Sequence, residues 1–169
     1  MSTKERLQPS LLDRLTDEEP ERKQEPRERR ALSFGQLRQA VKRDLAWLLN
    51  TTNLASVEDL SSHPHATRSV LNFGIPDLTG KAVSGVRVEE IQKLLRQAIL
   101  DFEPRILPRS LKVRVVVDRE GMSHNALRFE IDGELWAEPV PLRMLLQSEI
   151  DLETGHVRVE DAASAGGRA

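Results

Sequence analysis

Cysteine is absent from all 169 residues, and so is tyrosine. Without thiols there is no disulfide, no thiolate nucleophile and no cysteine-ligated zinc. The absence also suits a reducing compartment. Aromatic residues make up only 4% of the chain, and the two indoles, Trp47 and Trp136, are too few for a base-stacking platform. Neither sign of charge dominates: 25 Lys and Arg against 27 Asp and Glu leave a formal charge of -2. No global field therefore draws the chain to nucleic acid or to an anionic membrane. No apolar run approaches the roughly 18–20 residues of a membrane span. The opening Met1-Ser2-Thr3-Lys4-Glu5-Arg6 leads into no apolar stretch of the signal-peptide kind. We expect a cytoplasmic protein with no nucleic-acid partner and no direct membrane insertion.

Recognisable reaction chemistry is equally sparse. There is no G-x-S-x-G elbow, no phosphate loop and no G-x-G-x-x-G. The four histidines, His63, His65, His124 and His156, show no ligand spacing. We expect no metal, no cofactor, no small-molecule substrate and no catalytic residue. One pair needs weighing: Asp101 and Glu103 flank Phe102. A glycosidase needs two carboxyl groups roughly 5–9 Å apart across a sugar cleft. Acidic pairs near helix ends are common and no aromatic-lined cleft is evident, so a peptidoglycan-cleaving hydrolase is the lesser alternative.

Hydrophobic residues, at 38%, suffice for one modest core. Residues 1–30 stand apart as a docking segment and charged linker. Ser10-Leu11-Leu12-Asp13-Arg14-Leu15 is either a short docking segment or a frayed terminus. The mixed charges and two prolines of Asp17 to Arg30 cannot bury enough surface to offset ordering entropy. A domain over 31–160 follows, then a small, Gly-rich tail over 161–169 that we expect to be disordered.

Ser33 and Gln36 predict a capping box, with Leu32 and Leu37 as a hydrophobic staple, opening a helix that ends at Asn50. Phe34, Leu37, Val41, Leu45 and Leu48 form its apolar stripe. Trp47 lies off that stripe, either covered by another element or an exposed contact. A second helix is predicted over Pro64 to Asn72, with proline at an early position. A third runs from Val88 to Phe102, carrying Ile91, Leu94, Leu95, Ala98, Ile99 and Phe102 on one face; Pro104 stops it. The period then shifts from 3.6 to 2. Strands are predicted around Leu111 to Val117, Leu127 to Ile131, Val140 to Leu146 and Val157 to Val159. Helices first and strands afterwards give an α+β fold: about three helices packed on a small, mainly antiparallel sheet.

Glu103-Pro104-Arg105 sets a carboxylate and a guanidinium on a proline-framed turn. Arg105 can bind a carboxylate bidentately or cap carbonyls. The residues alone slightly favour an internal helix-end salt bridge over a docking contact.

Taken in order, several motifs resemble one family. They are Pro9-Ser10-Leu11-Leu12-Asp13-Arg14-Leu15, Arg43-Asp44-Leu45-Ala46-Trp47-Leu48-Leu49-Asn50-Thr51, Ser69-Val70-Leu71-Asn72-Phe73-Gly74-Ile75-Pro76-Asp77, Phe102-Glu103-Pro104-Arg105 and Ile150-Asp151-Leu152-Glu153-Thr154-Gly155. Together they cover most of residues 9–159 and are similar to the TssE family of type VI secretion baseplate subunits. That family belongs with the gene-25-type wedge proteins of contractile-tail phages. A common variant has Tyr where Phe73 stands. The resemblance implies a structural role: docking on other baseplate wedge subunits and helping sheath subunits start to polymerise. It places the protein in the assembled baseplate, at the cytoplasmic side of the inner membrane. Glu103, Pro104 and Arg105 match the family's Glu-Pro-Arg hallmark and are expected to bind partners. Trp47, Asp13 and Arg14 are expected to add contacts.

Overall fold

The structure is a computed structural model that describes residues 10–16, 21, 33–79, 87–116, 126–137 and 140–162. Leu32, Val117 and His124 lie outside these residues. So do the linker of residues 17–30, apart from Glu21, and the tail beyond Ala162.

A short helix, α1 (Leu11–Leu15), begins at Ser10, whose hydroxyl accepts from the Asp13 amide. The main helices are α2 (Phe34–Leu49) and α4 (Val88–Phe102), with one turn of helix between them, α3 (Pro64–Thr67). The capping box on α2 forms as predicted: Ser33 accepts from the Gln36 amide, and the Gln36 side chain accepts from the Ser33 amide. Leu37, Val41, Leu45 and Leu48 turn inward from α2; Ile91, Leu95, Ala98 and Ile99 do so from α4. Burying each large aliphatic chain contributes about 1.5–3 kcal/mol.

The predicted second helix divides. After α3 the chain breaks at Ser69 and resumes as a 3-10 turn over Val70–Asn72. Local side chains compete for the backbone. The Ser69 hydroxyl accepts from Leu71 N, and the buried Asn72 amide donates to Thr67 O and accepts from Ala55 N. Phe73 then meets Phe102 edge-on, with ring centroids 5.3 Å apart, tying this loop to the end of α4. Gly74 follows at φ +123, where an added Cβ would lie 2.2 Å from Thr51 O. Only glycine fits there.

Four antiparallel strands form a meander: β1 (Lys112–Val116), β2 (Ala126–Leu135), β3 (Leu142–Asp151) and β4 (Val157–Asp161), in that spatial order. This is the α+β arrangement expected. The inward positions include Val113, Phe129, Ile131, Met144, Leu146 and Val157, which join the helical stripes in one core. β2 and β3 run longer than their apolar alternation suggests. Gly133 and Ser148 occupy inward positions there and interrupt the pattern. Gly133 has its reason in packing, since an added Cβ would lie 3.1 Å from the Ile106 side chain. β4 extends one residue into the stretch assigned to the tail, because Asp161 pairs with Leu146 and binds Arg38 and Lys42 of α2.

The two sheet edges differ. Asp151 N donates to His156 O, which fixes the alternation of bonded and non-bonded pairs across the whole ladder. In β4, the peptide groups of Val157, Val159 and Asp161 face away from β3. The Asn50 side chain closes this edge at Val157: its oxygen accepts from Val157 N and its amide donates to Val157 O, both at 2.8 Å. In β1, the groups of Val113 and Val115 face away from β2. Arg96 reaches Leu111 O at 3.3 Å, but among the described residues nothing pairs with the outward groups of Val113 or Val115.

Candidate functional site

At the end of α4 the chain leaves helical geometry at Glu103, with φ -121 and ψ 77, as the residue before a proline does. The Glu103 amide still bonds Ile99 O, and Ile106 N returns to Glu103 O, closing a tight turn around Pro104. Trp136 N donates to Arg105 O at 2.7 Å and Leu107 N to Glu134 O at 2.8 Å. These bonds clamp the turn to the end of β2.

The Glu103 side chain points inward and is only 3% exposed. Arg105 folds back over it. Arg105 Nε donates to Glu103 Oε1 at 2.7 Å, Nη2 donates to Oε2, and the Arg105 backbone amide donates to Oε1 at 3.2 Å. Arg105 Nη2 also donates to Asp44 Oδ2 at 2.6 Å. Asp44 binds Arg43 through its other oxygen at 2.9 Å, and Arg43 Nη1 donates to Asp13 Oδ1 at 2.6 Å. The series ends at Ser10, whose hydroxyl donates to Asp13 Oδ2 at 2.6 Å.

The result is a relay of alternating sign: Glu103, Arg105, Asp44, Arg43, Asp13. Burial works against the charge on Arg105, but its bonds to Glu103 and Asp44 prevail and raise its pKa. The hydrogen bond to Asp13 is the main cause raising that of Arg43. Burial opposes ionisation of Asp13, yet the bonds from Arg43 and Ser10 hold its carboxyl below the ordinary range. Arg105 Nη1 is buried with no acceptor among the described residues.

The structure thus connects Asp13, far away in the sequence, to Glu103 and Arg105 through Asp44 and Arg43. Trp47 joins them: the Arg43 guanidinium lies 5.2 Å from its ring centroid, a cation–π contact. The indole is 52% exposed, so no second element covers it among the described residues. Pro104 is exposed at the tip of the turn. The Arg14 side chain lies outside the described part of the structure. Sequence reasoning missed Arg43 and Asp44 as the joints of the relay. The available signal was spacing, because Arg43 and Trp47 lie four residues apart on one face of a helix.

The carboxylates considered for hydrolysis are each bound to an arginine. Asp101 is bonded by Arg68 at 2.8 Å and by Gln97 at 3.0 Å; Glu103 is bonded by Arg105. A shallow groove on α4 is lined by Lys93, Leu94, Arg96 and Gln97 and includes neither carboxylate. Among the described residues no helix is long and apolar enough to cross a membrane, and no three metal-binding side chains are grouped.

Residues 35–140 match the family described as baseplate wedge protein gp25. The match contains the Glu-Pro-Arg turn, Arg43, Asp44 and Trp47, whereas Asp13 lies outside it. No curated protein and no solved structure matches the chain.

Proposed function

Because the chain belongs to the baseplate wedge protein gp25 family, and is therefore a structural baseplate component of a phage-tail-like system, we propose that it fills that place in a type VI secretion baseplate. There it docks on other wedge subunits through the Glu103-Pro104-Arg105 turn and helps start the contractile sheath. The assembly would stand at the cytoplasmic side of the inner membrane, the position the TssE resemblance implies.

The carrying observation is the charge relay. Glu103 and Asp44 fix the Arg105 fork, so its ordering cost is met before a partner arrives. Nε and Nη2 are taken by Glu103 and Asp44 and Nη1 is buried, so what the relay offers a partner is the exposed Pro104 tip held in one geometry.

Sheath initiation uses the other asymmetry of the molecule. A strand from a sheath subunit adds beside β1, bonding to Val113 and Val115, whose peptide groups face outward. Cations flank this edge at Arg96, Lys112 and Arg114, favouring an incoming strand with acidic side chains.

Two variants test the reading. Replacing the ion pair with apolar residues, Glu103→Leu with Arg105→Met, keeps the fold, since such replacements are often neutral or stabilising. It should cut affinity for co-expressed wedge subunits at least about tenfold, or about 1.4 kcal/mol. Val115→Pro removes an N–H that serves only the free edge. It should leave wedge binding intact and stop sheath growth. Unchanged wedge affinity in the first and normal sheath assembly in the second would sink the proposal.

A further inference from the structure

Asp44 stands between two guanidiniums and gives one oxygen to each. Its Oδ1 accepts from Arg43 Nε at 2.9 Å and its Oδ2 from Arg105 Nη2 at 2.6 Å. Arg43 Nη2 also lies 2.9 Å from Oδ1, yet it is buried and makes no hydrogen bond among the described residues. The Arg43 fork thus meets Asp44 with one prong aligned and the other not. A carboxylate facing that fork squarely would put one oxygen on each nitrogen, and Arg105 would lose its Oδ2 contact. Asp13 lets Arg43 do without the second oxygen, because it accepts from Nη1 at 2.6 Å.

Asp13 sits on an element that can leave. The five residues of α1 are far fewer than the roughly 12–15 at which an isolated helix becomes even marginal in water. Leu11 and Leu15 are exposed, so apolar burial does little to seat it. Its polar tie to α2 among the described residues is the Asp13–Arg43 pair.

We propose that α1 controls the rigidity of the Glu-Pro-Arg turn through Asp44, whose carboxylate has two settings. With α1 seated, Asp44 is shared and Arg105 is held from two sides. With α1 released, Asp44 turns both oxygens to Arg43, and Arg105 is left with Glu103 alone. Asp44 is a positioning residue, and its two settings are the bistable element that coupling requires. The inference rests on the docking role proposed for the turn: a subunit meets Pro104 in fixed geometry only while Asp13 sits on Arg43. Reciprocally, a subunit bound at the turn favours the seated α1.

Hydrogen exchange in the full chain tests this at the α1 amides and at the Arg105 amide and Nε–H, both of which donate to Glu103. Asp13→Ala should speed exchange in α1, and at Arg105 by at least about fivefold, although Arg43 and Asp44 stand between the two residues. Arg43→Gln frees α1 as well, but it removes the group that would claim Asp44, so Arg105 should exchange at its native rate. A merely structural role for α1 would loosen Arg105 equally in both variants. Asp44→Asn leaves Glu103 with its arginine, which preserves the fold, and should make Arg105 insensitive to a further Asp13→Ala. Native exchange at Arg105 in Asp13→Ala, or equal acceleration in Arg43→Gln, overturns the coupling while leaving the turn in place as a docking site. Faster exchange at Arg105 in Asp13→Ala with unchanged affinity for co-expressed wedge subunits keeps the coupling and overturns the turn as a docking site.

Discussion

Arg105 ties the proposed docking turn to the stability of the fold. Removing it alone leaves the Glu103 carboxyl group without its arginine in a position that is 3% exposed. Breaking a buried pair in this way typically costs about 3–5 kcal/mol. With Arg105 itself a quarter exposed, we expect Arg105→Ala to lie at the lower end, about 3 kcal/mol, read as a lower urea midpoint. The apolar double replacement should restore most of that loss. Loss of partner binding in the single variant would therefore mix two effects, and the comparison of single with double separates them. Asp13 carries a second prediction. Its folded pKa is depressed, so its contribution is present above the unfolded value and disappears as pH falls through the folded value. Helix α1 should stay attached from neutral pH into the ordinary carboxylate range. It should detach only below that range, as monitored by hydrogen exchange at its amides.

Among the elements, α2 does more than bury a stripe. Its side chains at Arg38, Lys42 and Asn50 lie along β4, the first two on Asp161 and the last on Val157. Asn50→Ala removes both bonds to Val157. At about 1 kcal/mol for each hydrogen bond, urea unfolding should show a loss of about 2 kcal/mol. Element boundaries were legible wherever periodicity and caps agreed. Ser33, Gln36, Val88, Phe102 and Pro104 placed α2 and α4 correctly. The second predicted helix failed because Asn72 and Ser69 take backbone bonds that a helix would use, and helical spacing carries no trace of that competition. β2 and β3 were drawn short because Gly133 and Ser148 break the apolar alternation for packing reasons that lie in other segments. The Glu-Pro-Arg turn stood out in the sequence. Its partners did not, because Asp44 is 61 positions from Arg105, and nothing local announces a contact of that range.

For the molecule as a whole, the sheet is the structural asset and also the hazard. A β1 edge left unpaired among the described residues is a template for any extended chain. Sedimentation of the free protein should show concentration-dependent association that Val115→Pro suppresses. Asn50→Ala should increase it by exposing the second edge. Arg96, Lys112 and Arg114 moderate the tendency between identical chains, since like charges meet when two such edges approach.

The carboxamide of Asn50 turns one N–H donor and its acceptor oxygen toward Val157, the same pair that a neighbouring peptide would offer, and its amide also donates to Ala46 O. At the start of β4 a single side chain thus stands in for the next strand of the sheet. If a strand adds beside β1 as proposed, this cap would favour one incoming strand per copy and so give the growing assembly a direction.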